Sequence, residues 1–159
     1  MPDMLVKLLD LPPLAPAVER AEAAGVRIRR AQAFEITPVR SFIEETWGQG
    51  WSDEVSVGFA NKPVSVYIAT SEGCVVGFGA YECTRRAYFG PTGVAESYRK
   101  KGIGAALLLA CLWGLREMGY VYGIIGGAGP TEFYARIAGA TVIPDSSPGI
   151  YTDLLKKKA

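Results

Sequence analysis

The stretch VAESYRKKGIGA, residues 94–105, decides how this sequence is interpreted. A β-rich run ends here in a turn with two glycines, Gly102 and Gly104, and an apolar helix is predicted directly afterwards, over residues 103–118. Glycines at such a junction allow a tight turn and let a ligand approach the backbone N–H groups. Because the first amides of a helix have no partner within it, they favour anions. The stretch therefore predicts an anion site.

Three cations, Arg99, Lys100 and Lys101, precede these glycines. Beside the positive end of a helix dipole each costs a few tenths of a kcal/mol, and a bound polyanion would reverse the sign. A glycine-containing loop with solvent-facing lysines is the alternative interpretation. Two other kinds of phosphate site are excluded, since the sequence has neither GxGxxG nor the Gly-Lys pair of a Walker A loop.

The spacing Arg99-x-x-Gly102-x-Gly104 resembles the R/Q-x-x-G-x-G/A signature of the GNAT acetyltransferases. The resemblance implies that the turn binds the pyrophosphate of acetyl-coenzyme A and that the preceding strand pairs with the pantetheine arm through its amides. The residues implied for these two roles are Arg99, Lys100, Lys101, Gly102, Ile103, Gly104 and Ala105 for the pyrophosphate, and Val94, Ala95 and Glu96 for the pantetheine. Glu96 departs from the proline that the family often has.

The order of predicted elements indicates an α/β (α+β) fold. A helix-rich opening precedes an antiparallel meander with a hairpin at residues 71–73, and then come a helix, a strand, a helix and two short strands, the last over residues 150–155. The resemblance implies a central, mixed but mostly antiparallel twisted sheet flanked by helices, with two strands splayed at the cofactor site near Gly90-Pro91. We expect one domain over residues 1–159, with residues 1–16 as an extended arm because of their prolines.

A candidate general acid is Tyr134, in a helix predicted over residues 130–138. It matches the tyrosine that many GNAT enzymes place beside the coenzyme A sulfur, although a core tyrosine is the alternative. For the base, Glu54, Glu82 and Glu96 stay open, and we favour Glu54. It lies in a loop predicted over residues 49–61, which by resemblance shapes the acceptor pocket.

Two aromatic residues are candidates for the acceptor side, although packing roles are the alternative for both. Trp51 lies in the same predicted loop as Glu54, and Tyr151 lies on the predicted last strand. The family often has an asparagine where this sequence has Gly127, and this departure affects the placement of the helix that carries Tyr134.

Composition narrows the function classes. The formal net charge is +1, so no global field attracts nucleic acid. The sequence has no histidine, and its three cysteines show no metal-ligand spacing, so we expect neither a histidine-based catalytic triad nor a metal. Neither a secretory leader nor a membrane span is predicted, and the cysteine usage favours a reducing cytoplasm.

These observations predict an N-acetyltransferase that passes an acetyl group from acetyl-coenzyme A to a primary amine by direct attack in a ternary complex. The acceptor is a small molecule or a peptide. The alternatives are a non-catalytic acyl-coenzyme A sensor or interaction domain, and a transferase for another acyl group. The resemblance also implies a homodimer, formed by the exposed final strands.

Overall fold

A computed structural model describes residues 1–158, which contain one seven-stranded sheet with helices on both faces. The strands are β1 (Met4–Lys7), β2 (Arg27–Arg30), β3 (Val66–Ser71), β4 (Cys74–Tyr81), β5 (Tyr88–Val94), β6 (Tyr122–Ile125) and β7 (Thr141–Val142). The helices are α1 (Ala15–Ala23), α2 (Ile36–Trp47), α3 (Gln49–Ala60), α4 (Ile103–Glu117) and α5 (Thr131–Ala138). None of the helices in this range is long and apolar enough to cross a bilayer.

The strand order is β2-β3-β4-β5-β6-β1-β7, and neighbouring strands are antiparallel except β5 and β6. This parallel pair is short, since only Tyr88 and Phe89 face Ile124 and Ile125. Beyond Phe89 the strand continues through Gly90-Pro91 along β4 alone, while β6 ends at Ile125. The predicted mixed, mostly antiparallel sheet is confirmed, and two of its strands separate at Gly90-Pro91.

Alternate residues of the central strands point to two different helix layers, as the two-residue period of a strand requires. Ile68 of β3 and Phe78 of β4 pack with α2 and α3, whereas Ala69 packs with α1 and α4. The helix α4 is buried over most of its length, as its apolar sequence predicts. It therefore has a fixed position on the sheet, and its first residues meet the end of β5.

The predicted N-terminal arm is wrong in one respect: Met4–Lys7 is a sheet strand, inserted between β6 and β7. Met4 and Val6 are completely buried there. Because β1 occupies the place beside β6, residues 150–155 have no open neighbour to pair with, and the strand predicted for them is not formed. The homodimer prediction, which relied on an exposed final strand, loses this support.

Two helices begin earlier than the sequence indicated. Residues 49–60, predicted as a loop, form α3, because Gly48 with φ of 91° ends α2 and lets a new helix start at the next residue. Its buried Ser52, Val55 and Phe59 follow the helical spacing. The first helix begins at Ala15, since a proline in the first turn removes only an N–H that would be unpaired.

Candidate functional site

The start of α4 presents unpaired backbone amides. Gly102 is the N-terminal flanking residue, with φ of 80°, and its carbonyl accepts from Ala106. The N–H groups of Ile103, Gly104 and Ala105 donate to no group within residues 1–158, and no side chain caps the helix. They open into a groove of about 410 Å³. This end of the molecule can therefore bind an anion through its backbone.

Positive side chains surround this groove. Arg99 and Lys100 lie along it, as predicted, whereas Lys101 is not part of its lining and holds its Nζ 5.0 Å from the centre of the Tyr98 ring. The sequence analysis missed two cations in the lining, Arg20 of α1 and Arg136 of α5. No local motif marks them, because they reach the groove only through the packing of three helices.

Gly104 leaves space that no protein atom needs. A methyl group built on its Cα would lie 3.8 Å from Phe133 and 3.9 Å from Val94, which are ordinary contact distances. The backbone of Gly104 is helical, so the residue is not required for a left-handed conformation. A side chain at this position would instead project from the groove wall, where a ligand approaches the amides.

The end of β5 supports only part of the predicted pantetheine contact. The amide of Ala95 donates to Val76 O in β4, so it is not available to a ligand, and the prediction for this amide is wrong. Because successive amides of a strand point to opposite sides, the N–H of Val94 faces the gap from which β6 has turned away. Glu96 is exposed in a 3₁₀ turn.

A second cavity, of about 420 Å³, fills the gap between the separated strands. Its lining includes Val94, Gly104 and Tyr134. Tyr134 is only 7% exposed, yet residues 1–158 contain no sealed, unpartnered side-chain oxygen, so its hydroxyl keeps accessible surface on the cavity. Burial raises the pKa of Tyr134 above its ordinary value, and its phenol is a protonated donor at neutral pH.

A third cavity, of about 290 Å³, contains the predicted acceptor residues. Glu54 of α3 lines it, and the hydroxyl of Thr84 donates to its Oε1. Trp51 stands one helical turn earlier and stacks on Trp47, with ring centres 5.9 Å apart. Tyr151 closes the other side, although it comes from an irregular segment and not from a strand. The structure thus brings Glu54, Trp51 and Tyr151 together.

The other two candidate bases lie elsewhere. The carboxylate of Glu82 accepts from the amide of Ala87 and from the hydroxyl of Tyr120, so both of its oxygens hold the loop before β5. Glu96 is exposed and lines none of the three cavities. Glu54 is the carboxylate with access to the acceptor side.

The three cavities form one continuous path. The groove at α4 shares Val94, Gly104 and Phe133 with the central cavity. The central cavity in turn shares residues with the acceptor cavity, which are Met1, Trp51, Phe89, Gly90, Pro91, Gly126 and Gly127. Free amides and cations therefore lie at one end, a carboxylate lies at the other end, and Tyr134 lies between them.

A buried acid, Asp3, shapes the acceptor end and was missed from sequence. Its Oδ1 accepts from the amide of Gly127 at 2.8 Å, and its own amide donates to Ser146 Oγ at 2.9 Å. These bonds fix the chain start against the glycine turn after β6 and against the segment that leads to Tyr151. Within residues 1–158, no cluster of acidic, cysteine or histidine side chains is arranged to hold a metal ion.

Comparison with known proteins gives one family match. Residues 62–137, just under half of the chain, match the model described as an acetyltransferase (GNAT) domain. No curated protein matches the sequence.

Solved structures share the fold at low identity. A glucosamine N-acetyltransferase region of a fungal multi-domain β-N-acetylglucosaminidase is 15% identical with a TM-score of 0.72, over 89% of this chain and 19% of that one. A GCN5-related N-acetyltransferase from Sphaerobacter thermophilus is 21% identical with a TM-score of 0.67, over 89% and 48%. A GNAT acetyltransferase from Brucella melitensis, solved with acetyl-coenzyme A, is 20% identical with a TM-score of 0.55, over 74% and 86%. This chain thus spans about a fifth and about half of the first two proteins.

Proposed function

We propose that this chain, which carries a GNAT acetyltransferase domain and has the GNAT fold, transfers an acetyl group from acetyl-coenzyme A to a primary amine. The observation that carries the proposal is the continuous path from the free amides of α4, past Tyr134, to Glu54. Its two ends have opposite charge, as a site for a polyphosphate and an amine requires.

The residues at the phosphate end fit coenzyme A. The amides of Ile103, Gly104 and Ala105 would hold the pyrophosphate, and Arg20, Arg99, Lys100 and Arg136 would neutralise its charge. The N–H of Val94 would meet the pantetheine arm in the gap between β5 and β6. The missing side chain of Gly104 is the feature that keeps this space open.

The remaining chemistry needs a base and an acid. Acetyl-coenzyme A supplies the acetyl group as a thioester, whose carbonyl carbon accepts the amine nitrogen while the carbon–sulfur bond breaks. Glu54 takes up the proton that the amine must lose, since an alkylamine with a pKa of about 10 is mostly protonated at neutral pH. Tyr134 donates its hydroxyl hydrogen to the departing sulfur. Both groups border the same path, so attack within a ternary complex requires no covalent acetyl-enzyme.

The test combines two measurements on the same protein. Isothermal titration with coenzyme A measures binding, and thiol release from acetyl-coenzyme A is followed across a panel of primary amines. We expect saturable binding and thiol release that depends on an amine. Binding without thiol release from any amine would instead favour a non-catalytic acyl-coenzyme A sensor, and absence of binding would contradict both functions.

A further inference from the structure

We infer that the acceptor is a small primary amine with an apolar, preferably aromatic, body and no carboxylate of its own. The inference rests on the proposed function, because it concerns the acceptor cavity of the same site. Three features of that cavity carry it: its charge, its walls and the hydrogen bonds of the turn beneath it.

The charge of the cavity is that of one carboxylate. Thr84 donates to Oε1 of Glu54, while Oε2 has no partner within residues 1–158. No lysine or arginine side chain lines the cavity. A carboxylate that is half-buried and lacks a cation is stabilised by one that enters from outside, so an ammonium group is the matching ligand.

The walls are aromatic and apolar. Trp51, Phe89 and Tyr151 line the cavity together with two prolines, Pro91 and Pro148. Trp51 is held in place because it stacks on Trp47 and meets Phe78 edge-on. Aromatic faces bind apolar surface and attract cations, and a volume of about 290 Å³ is at the small end of ligand sites. The body of the amine is therefore compact and apolar.

The turn beneath the cavity has no amides left for an acceptor carboxylate. The N–H of Gly127 is bound by Asp3, and that of Ala128 donates to Pro2 O. A free amino acid would therefore bring its carboxylate near Glu54 without a compensating cation or a free amide from these two residues. Like charges in a partly desolvated site repel, so the cavity discriminates against amino acids and in favour of monoamines.

The experiment compares 2-phenylethylamine with L-phenylalanine, which differ only by a carboxylate. Calorimetric titration of the protein saturated with coenzyme A should show the monoamine binding at least about tenfold more tightly. Glu54→Gln should remove most of this preference, while Glu45→Gln, an exposed change on α2, should keep it. Equal or tighter binding of L-phenylalanine, or no binding of either compound, would overturn the inference.

Thiol release separates this inference from the proposed function. If the monoamine binds selectively but no thiol appears, acetyl transfer fails and the acceptor class stands. If amino acids release thiol as fast as monoamines do, acetyl transfer stands and the acceptor class is wrong. If monoamines alone release thiol, both are supported.

Discussion

The two ends of the path are built in different ways. At the phosphate end, one continuous stretch, residues 94–105, supplies the amides and two of the cations. At the acceptor end, the cavity is assembled from separate segments of the chain, namely residues 51–54, 84, 89–91, 126–127 and 147–151. A site made from one stretch can be read as a motif, whereas a site made from several depends on how the chain folds.

The ends also differ in how they hold their ligands. Backbone amides and exposed cations form the phosphate end, while the acceptor end uses a single carboxylate among aromatic side chains. A change at the phosphate end should therefore act on cofactor affinity, and a change at the acceptor end should act on turnover or on the amine. The predictions below test this separation.

The largest effect is expected from Gly104→Val. The new side chain meets only ordinary contacts in the protein, so the domain should stay folded. It would obstruct the space beside the amides, and we expect a loss of about 4 kcal/mol in coenzyme A binding, roughly 1000-fold in affinity. Calorimetry measures the affinity, and circular dichroism checks the fold.

A matched control for this variant is Gly50→Val in α3. Gly50 also has open space around it and does not have a positive φ, but it lines none of the three cavities. Coenzyme A affinity should be unchanged in this variant. Retained affinity in Gly104→Val would show that the phosphates do not lie over the start of α4.

The next effect is expected from Tyr134→Phe, which tests the middle of the path. The hydroxyl makes no hydrogen bond in the protein, so its removal should not lower stability. We expect kcat to fall roughly 100-fold, as for loss of a general acid, with coenzyme A affinity unchanged. Steady-state kinetics at saturating substrates measure this, and an unaltered kcat would leave Tyr134 as a packing residue.

The pH dependence gives a second test of Tyr134. Its pKa is raised by burial, so the phenol stays protonated as the pH rises and loses its proton only above its ordinary value near 10. In the wild-type enzyme, kcat should therefore not decline between pH 7 and about pH 9 through this group. A decline with a midpoint in that range, absent from Tyr134→Phe, would contradict the raised pKa.

Local signals in the sequence were sufficient for several elements. The hairpin at Glu72-Gly73 was predicted, and both residues have positive φ in the structure. The apolar run of α4 was also identified. These elements depend on neighbours in the chain, because turn geometry and helical burial are local properties.

The position of β1 could not be obtained in this way. Its alternation of buried Met4 and Val6 is short, and its partner Ile125 is more than a hundred residues away. Once β1 takes the place beside β6, the final segment is left to cover the acceptor cavity, which is why Tyr151 lies there without a strand. The acceptor site was therefore only partly predictable, since its shape follows from one non-local pairing.

A smaller effect is expected from Asp3→Ala, which tests whether this pairing builds the acceptor end. The change leaves the amide of Gly127 without its acceptor, and we expect the free energy of unfolding to fall by about 1–2 kcal/mol. Urea denaturation measures this. The amine affinity should weaken while the coenzyme A affinity stays constant, and equal weakening of both would mean that the two ends are not independent.

The smallest effect is expected within the phosphate end, from Arg136→Gln compared with Lys101→Gln. Arg136 lines the groove, and its guanidinium lies 5.9 Å from the centre of the Phe133 ring, whereas Lys101 faces Tyr98 outside the lining. Both are exposed, so salt screens them, and we expect the first change to weaken coenzyme A binding about threefold at low salt. Lys101→Gln should weaken it less. Calorimetry at two salt concentrations measures both, and a larger effect from Lys101 would mean that the cation beside the glycines in sequence matters more than the one that folding brings to the groove.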